Sequence, residues 1–500
     1  MRRVLLFIAA AAFTFGGAHA FTLTVASTSD AVSLSPHDTN DQPSARVMRQ
    51  IYDTLIIQTE ELELEPGLAE SWTQIDELTW EFAIRPGVVF HNGDPLTAGD
   101  VVFTLNSLRD PAIAAPGAFI LGFVESVEAV DDLTVRVSTA SPFAPILAHL
   151  AHTATSVLNE RAVTEAGEDY GTEVVVGTGP FKFVEWEIAS QIVLDRNDDW
   201  WGGDVLPERV VFRPITEGTV RAIELEAGAV DIAYDLQLSP RDAMRARENP
   251  NLITTEVPTL STTYVGFNAQ KAPYDDVRVR QAINHAVDVG PMIDAILEGF
   301  GGVATSPISD MVFGAHTDLD SYDYDPERAR QLLADAGYGD GFSTTLWTND
   351  NPVRIQIAEI MQAQLGEVGI SVDVQVLEWS TYLADTAAGA HDMFILGWVT
   401  VTGDADYGLY ALFHSSNFGS AGNRTFWSSD RVDELLDLGR TESDPELRVQ
   451  HYLEAQEIIA EEAPWVFLYL MLSVDGMQTN ISGYVPHPAG HHRLYNVSKD

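Results

Sequence analysis

The 500-residue chain contains no cysteine. That excludes disulfides, zinc–thiolate centres, iron–sulfur clusters and thiol nucleophiles, as well as a lipid anchor on an N-terminal cysteine. Lysine is almost as scarce: Lys182, Lys271 and Lys499 stand against 25 arginines, a bias that a GC-rich genome explains. Positive charge of any kind is in deficit, with 28 Lys+Arg against 74 Asp+Glu and a net charge of −46. A phosphate backbone would meet a strongly acidic surface, so nucleic acid is not an expected partner. A saline habitat would tolerate such acidity, since the Debye length falls to about 3 Å at 1 M salt. Long hydrophobic runs are missing too. Trp465–Leu472 is the kind of short apolar stretch that reads as a buried strand, not a membrane helix. The chain has no internal repeat, low-complexity tract or Gly/Ser tether. What it does have is 45% hydrophobic and 9% aromatic residues, enough for sizeable cores, and a length that corresponds to two or three domains at about 100–200 residues each.

The first twenty residues read as an export address. Arg2 and Arg3 form a basic start, Val4–Phe15 an apolar stretch too short to span a bilayer, and Ala18-His19-Ala20 an A-x-A cleavage site. The mature chain is then expected to begin at Phe21, exported and soluble, with 26 basic and 74 acidic side chains.

Periodicity along the rest predicts mixed α and β structure. Leu23–Ala26 reads as a strand ahead of the polar loop Ser27–Asp30, and a helix is expected near Ala45–Tyr52. Trp80, Phe82 and Ile84 alternate as a half-buried strand, and Leu133, Val135 and Val137 as another. Thr97 and Asp100 have capping-box spacing ahead of the apolar face Val101, Val102, Leu105 and Leu108. Gly177-Thr178-Gly179-Pro180 marks a turn before the strand Phe181–Trp186. Asp276 and Asp325 sit where helix N-caps belong, the latter followed by Pro326 and Glu327. Phe342–Trp347, a helix over Arg354–Glu367, and the alternating Ile370, Val372, Val374 and Val376 predict a parallel strand–helix–strand unit.

The chemistry-bearing motifs of common enzymes are absent: HExxH, GxSxG, the phosphate-binding GxxxxGK[ST] and GxGxxG do not occur. Asp404 and Asp406 form one of many acidic pairs in an acid-rich chain; a ligand-facing or solvated loop is the preferred reading over a hydrolytic acid–base pair. His487, His491 and His492 cluster near the C-terminus, but Pro486 and Pro488 oppose the helix on which the first two would share a metal, so a polar surface segment is expected. No cofactor is expected.

One series of segments carries a family resemblance. It begins with Leu68-Ala69-Glu70-Ser71-Trp72, Trp80-Glu81-Phe82, Arg85-Pro86-Gly87-Val88, Phe90-His91-Asn92-Gly93 and Leu96–Phe103. It continues through Gly177–Phe181, Val265-Gly266-Phe267-Asn268, Val277–Ala282, Ala329–Leu333 with Ala336-Gly337-Tyr338, and Gly397-Trp398. It closes with Ala463-Pro464-Trp465 and Gly483-Tyr484-Val485. In this order the segments resemble the family 5 extracellular solute-binding proteins, the peptide and nickel receptors of ABC importers. The resemblance implies an α/β, two-lobed periplasmic-binding-protein fold with an extra subdomain on the first lobe. Lobe one would be 21–267 plus 476–500, its inserted subdomain about 58–172, and lobe two 268–475, with chain crossings near Phe267 and Asp475. A solute would be held between the lobes and would favour their closure. Further implied are a monomeric, periplasmic, non-catalytic receptor and, as partners, the permease and ATPase subunits of an importer.

The ligand class follows less directly. The aspartate that pairs with a peptide amino terminus in dipeptide-binding relatives falls on Val401 here. The carboxylate-pairing arginine that follows Glu-Trp-x-x-Tyr-Leu is missing after Glu378–Leu383, where Ala384 and Asp385 stand. Gly341–Trp347 and Gly397–Asp406 look more like the glutathione-binding member, pointing to a short or modified peptide. By position in the family, the site candidates are Thr28, Ser29 and Asp30 from lobe one and Trp398, Thr400, Asp404, Asp406, Tyr407, Asn423 and Arg424 from lobe two. Asp404 or Asp406 would take a ligand amine, Trp398 would stack, and Arg424 would pair with a ligand carboxylate. Trp200 and Trp201 are expected to be packing residues. Nickel, haem or a sugar as ligand remains an alternative within the family, and a secreted acidic-pair hydrolase is the alternative outside it.

Overall fold

The computed structural model describes residues 21–319, 322–420 and 422–500; the expected signal peptide, residues 1–20, lies outside the described residues. Eleven strands form one large mixed sheet. From one edge the order runs Ile370–Leu377, Phe342–Asn349, Met393–Val399, Leu252–Phe267, Trp465–Gln478, Ile232–Ala233, Thr22–Ser27, Arg209–Pro214, Gln191–Arg196 and Phe181–Glu187. Gly301–Val303 pairs with the flank of Trp465–Gln478.

Two strands in the middle, of 16 and 14 residues, join the two ends of this sheet. Residues 252–258 of the first pair with 472–478 of the second, beside the short strand Ile232–Ala233 and hence beside lobe one. Residues 261–267 pair with 393–399 on one side and, over 262–266, still with 465–470 on the other. The register shifts between Pro258 and Thr262, where Pro258 brings no backbone N–H to the ladder. The two ends of the sheet are thus joined by continuous strands, in keeping with the absence of a Gly/Ser tether from the sequence.

The local predictions rest on visible contacts. Asp100 accepts hydrogen bonds from the Thr97 backbone N–H at 3.0 Å and from its hydroxyl at 2.8 Å, starting the helix Ala98–Leu108. Asp276 and Asp325 cap Val277–Ala286 and Pro326–Asp335 as their positions predict. Phe342–Asn349 and Ile370–Leu377 pair in parallel across the helix Pro352–Glu367. At the Gly177–Pro180 turn the chain passes so close to the end of the helix Gln42–Ile51 that a Cβ on Gly177 would lie 2.1 Å from the Ile51 carbonyl oxygen. Trp200 and Trp201 are packing residues: both indole N–H groups donate to the half-buried Asp53 carboxylate, at 3.4 and 2.8 Å.

Between Ile56 and Tyr170 the chain builds an appendage around a four-stranded antiparallel sheet, Ala69–Asp76, Thr79–Ile84, Thr134–Thr139 and Val124–Asp131. One apolar cluster runs from this appendage (Phe82, Ile120, Phe143, Ile146) to Leu396, Leu412, Trp427 and Trp465, so the appendage packs on that part of the chain through buried apolar side chains.

The C-terminal histidines correct the sequence reading. His487, His491 and His492 are 1%, 6% and 2% exposed, not a surface segment. The segment is pulled inward by the helix Gln42–Ile51: the Gln50 side chain donates to the His492 carbonyl at 2.8 Å, and the Gln42 side chain donates to the Ala489 carbonyl. Burial drives all three imidazoles below their ordinary pKa, His487 to about 3. No group of three or more metal-binding side chains among the described residues is arranged to hold an ion.

Candidate ligand-binding cleft

A cavity of about 440 Å³ opens between the lobes, within the size range of small-molecule sites. Lobe one contributes the loop after its first strand (Thr28, Ser29), the segment Asp38–Asp41 leading into the helix Gln42–Ile51, and His152–Ala154 and His491. Lobe two contributes the end of Met393–Val399 with Trp398, the start of Pro352–Glu367 with Arg354, the helix Trp379–Ala387, and Tyr407 and Arg424.

Of the ten residues proposed from sequence, Thr28, Ser29, Trp398, Tyr407 and Arg424 line this cavity and the other five do not. Asp30 turns away: its carboxylate accepts the Trp186 indole N–H at 3.2 Å and the Ala189 amide at 2.7 Å, tying the loop to the neighbouring hairpin. Thr400 is buried behind the wall, its amide donating to the Leu260 carbonyl at 3.0 Å. Asn423 is fully buried and structural: its Nδ2 donates to the Trp427 carbonyl at 3.0 Å, and its Oδ1 accepts the Thr425 hydroxyl.

The two aspartates expected to hold a ligand amine are already committed. Asp404 makes a two-pronged pair with Arg448, at 2.8 and 2.6 Å. Asp406 lies 2.8 Å from Arg440 Nε and 2.9 Å from His149 Nε2, with all three side chains buried. Burial alone would raise the Asp406 carboxyl, but Arg440 and His149 overcome it and hold the group at about 2. Since His149 belongs to the appendage, this cluster fastens lobe one to lobe two. Sequence could not reveal it, because Arg440 and His149 are both remote from Asp406 in the chain.

Tyr407 links the lobes as well. His152 Nδ1 accepts the Ala154 amide, so the ring proton is on Nε2 and donates to the Tyr407 hydroxyl at 3.0 Å. The same hydroxyl receives Asn40 Nδ2 at 3.2 Å. Burial keeps His152 well below its ordinary pKa, with Arg49 and His149 adding to the effect. Trp398 stacks on the Tyr407 ring, centroids 5.2 Å apart, leaving part of its indole toward the cavity. Arg424 is 8% exposed, and burial lowers its pKa. Val401 and Ala384 also line the cavity, so the two positions at which this chain departs from the dipeptide receptors both face it.

Sequence reasoning missed Asn40, Asp41, His152, Arg354 and His491 as lining residues. Only Trp379, within the Glu-Trp segment already noted, had a signal that pointed to this wall.

This arrangement has known counterparts. The family described as bacterial extracellular solute-binding proteins, family 5 Middle, matches residues 63–420. The chain belongs to this family. It is 32% identical over 482 residues to heme-binding protein A of Haemophilus influenzae, covering 90% of this chain and 87% of that protein. It is 29% identical over 470 residues to the glutathione-binding protein GsiB of Escherichia coli K12, covering 92% and 91%. Among solved structures, the ABC transporter-associated periplasmic binding protein DppA of Helicobacter pylori, in complex with the peptide STSA, superposes with a TM-score of 0.90 at 31% identity over 96% of this chain and 98% of that one. The two-lobed α/β fold of solute-binding proteins is therefore established for this family member. No helix among its described residues is long and apolar enough to cross a membrane.

Proposed function

We propose that this chain is the periplasmic receptor of an ABC importer and captures a short peptide-type solute, glutathione or a similar molecule, by closing its lobes around it. The chain's cleavable start would deliver it across the inner membrane, and permease and ATPase subunits would take the solute from it. The lobes are read as 21–267 with 476–500, carrying the insertion at about 58–172, and 268–475. Motion would be absorbed by the two long strands that cross between them. The observation that carries the reading is the cleft of about 440 Å³ lined by both lobes, with an aromatic wall at Trp398 and Tyr407 and an unpaired guanidinium at Arg424. The relatives named for glutathione and for a bound peptide add support. In this reading Thr28 and Ser29 contact the solute from lobe one, Trp398 stacks on it and Arg424 pairs with its carboxylate.

The test is a thermal-shift screen of the mature protein against di- to hexapeptides and glutathione, followed by calorimetry. A ligand at 100 times its Kd adds about 2.7 kcal/mol of stability, a clear rise in Tm. Shifts confined to sugars or metal ions would reject the peptide reading. Haem is a second reading, favoured by the relationship to heme-binding protein A and by His491 on the cavity wall. A Soret band that appears on titration and is lost in His491→Ala would support it.

A further inference from the structure

In a chain of net charge −46, two arginines on the lobe-two wall of the cleft have no carboxylate partner among the described residues. Arg424 is buried, and its Nε has no acceptor. Arg354 begins the helix Pro352–Glu367; its Nη1 donates to the neutral Asn349 side chain at 3.0 Å, and its Nε has no acceptor. Both arginines line the cleft with Trp398, and a Cβ placed on the neighbouring Gly397 would lie 3.1 Å from Arg354 Nη2. The Trp398 indole N–H on that wall is likewise unpartnered. Guanidinium and indole nitrogens can only donate, so this surface presents positive charge and, at the Nε atoms of Arg354 and Arg424 and at the Trp398 indole, donors with no acceptor among the described residues. The other buried arginines between residues 268 and 475 are treated differently: Arg280, Arg440 and Arg448 have Glu462, Asp406 and Asp404. The carboxylates bordering the cavity, Asp38 and Asp41, belong to lobe one, where they accept the Ser33 hydroxyl at 3.0 Å and the Thr39 hydroxyl at 2.7 Å.

We infer that Arg354 and Arg424 together form a receptor site for two carboxylates, so that the solute is a diacid whose acidic groups both face lobe two. This rests on the proposed capture of a peptide-type solute and narrows its class. Arg424 is buried and Arg354 half-buried, and together the two guanidiniums carry two positive charges. A single carboxylate would leave one of them uncompensated in a low-dielectric wall, whereas two carboxylates neutralise both and also supply acceptors for the Nε atoms and the Trp398 indole. A neutral or monoacid solute would enter the cleft only at the expense of a desolvated, unpaired cation.

Calorimetric titration of the mature wild-type protein tests this without any variant. The probes are glutathione, its monoethyl and diethyl esters, and the tripeptide Ala-Ala-Glu with its Gln counterpart and that counterpart's C-terminal amide. Each carboxylate masked should weaken binding by about tenfold or more. Arg354→Gln and Arg424→Gln should each remove the discrimination at one carboxylate, with the far-ultraviolet circular dichroism of the wild type. If either fails to fold, Arg→Lys at the same position keeps the charge, removes the planar fork and should still reduce the discrimination. Masked and unmasked peptides binding within about threefold of each other would overturn the two-carboxylate site while leaving the peptide reading intact. Binding of non-peptide amino-dicarboxylates with no peptide bound would do the reverse. Absence of binding by every diacid would overturn both.

Discussion

Replacing Asp406 with asparagine separates two accounts of this residue. In the structure its carboxylate is 1% exposed and lies between Arg440, at 2.8 Å, and His149, at 2.9 Å. Arg440 is itself buried, stacked over Tyr410 with the guanidinium 3.5 Å from the ring centroid, and has no other carboxylate among the described residues. Asp406→Asn retains shape but leaves that cation uncompensated, and breaking a buried pair in this way costs about 3–5 kcal/mol. The pH dependence gives an independent magnitude. The carboxyl is held at about 2 against an ordinary 3.8, a difference worth about 2–3 kcal/mol. Because the folded-state value is depressed, this stabilisation is complete above the unfolded pKa near 4 and disappears as pH falls through about 2. Urea unfolding of wild type and Asp406→Asn at pH 7 should therefore differ by several kcal/mol, and the gap should close toward pH 2. Solute affinity would fall only as far as the lobe contact is weakened. An unchanged unfolding midpoint, combined with a 100-fold loss of peptide affinity, would refute the reasoning and return Asp406 to the ligand.

Trp398→Ala should weaken solute binding by about 2 kcal/mol in calorimetry, since it removes the part of the indole that borders the cavity beside Tyr407; unchanged affinity would take Trp398 out of the site. Gly177→Ala should destabilise the fold by about 1–3 kcal/mol or prevent accumulation of soluble protein, because the new methyl meets the backbone oxygen of Ile51 and not a side chain that could swing aside. Acid should weaken the protein well above the carboxylate range. Burial holds His37 and His91 at about 4 and His391 and His487 at about 3, so the unfolded chain binds more protons than the native one below pH 6.5. Stability is full above pH 6.5 and is lost progressively toward those values, by about 2 kcal/mol per imidazole at pH 5, which scanning calorimetry from pH 7.5 to 5 would read as a falling Tm.

Much of the scaffold was legible because its signals are local. Alternation identified Trp80–Ile84 and Ile370–Val376, cap chemistry identified the helices after Thr97, Asp276 and Asp325, and the ordered short segments pointed to the family. The site was legible only in part. Trp398, Tyr407 and Arg424 were found because they sit in segments whose position in the family faces the cleft. Asp404, Asp406 and Asp30 sat in equally suggestive loops, but each had a partner that no local pattern announces: Arg448 is 44 residues from Asp404, and Trp186 is 156 residues from Asp30. His487, His491 and His492 looked exposed because prolines flank them, yet a glutamine more than 400 residues earlier draws that segment into the core.

The sequence alone determined that this protein has no thiol or disulfide chemistry, is strongly acidic, and folds as a mixed α/β chain of the solute-binding family, because composition, side-chain periodicity and capping residues act over a few positions. Which acids and bases were free to meet a ligand was decided only by the tertiary structure. Burial makes an unpaired charge costly, and only the packed chain brings Asp406 to Arg440 and His149 while leaving Arg354 and Arg424 facing the cleft without a counter-charge.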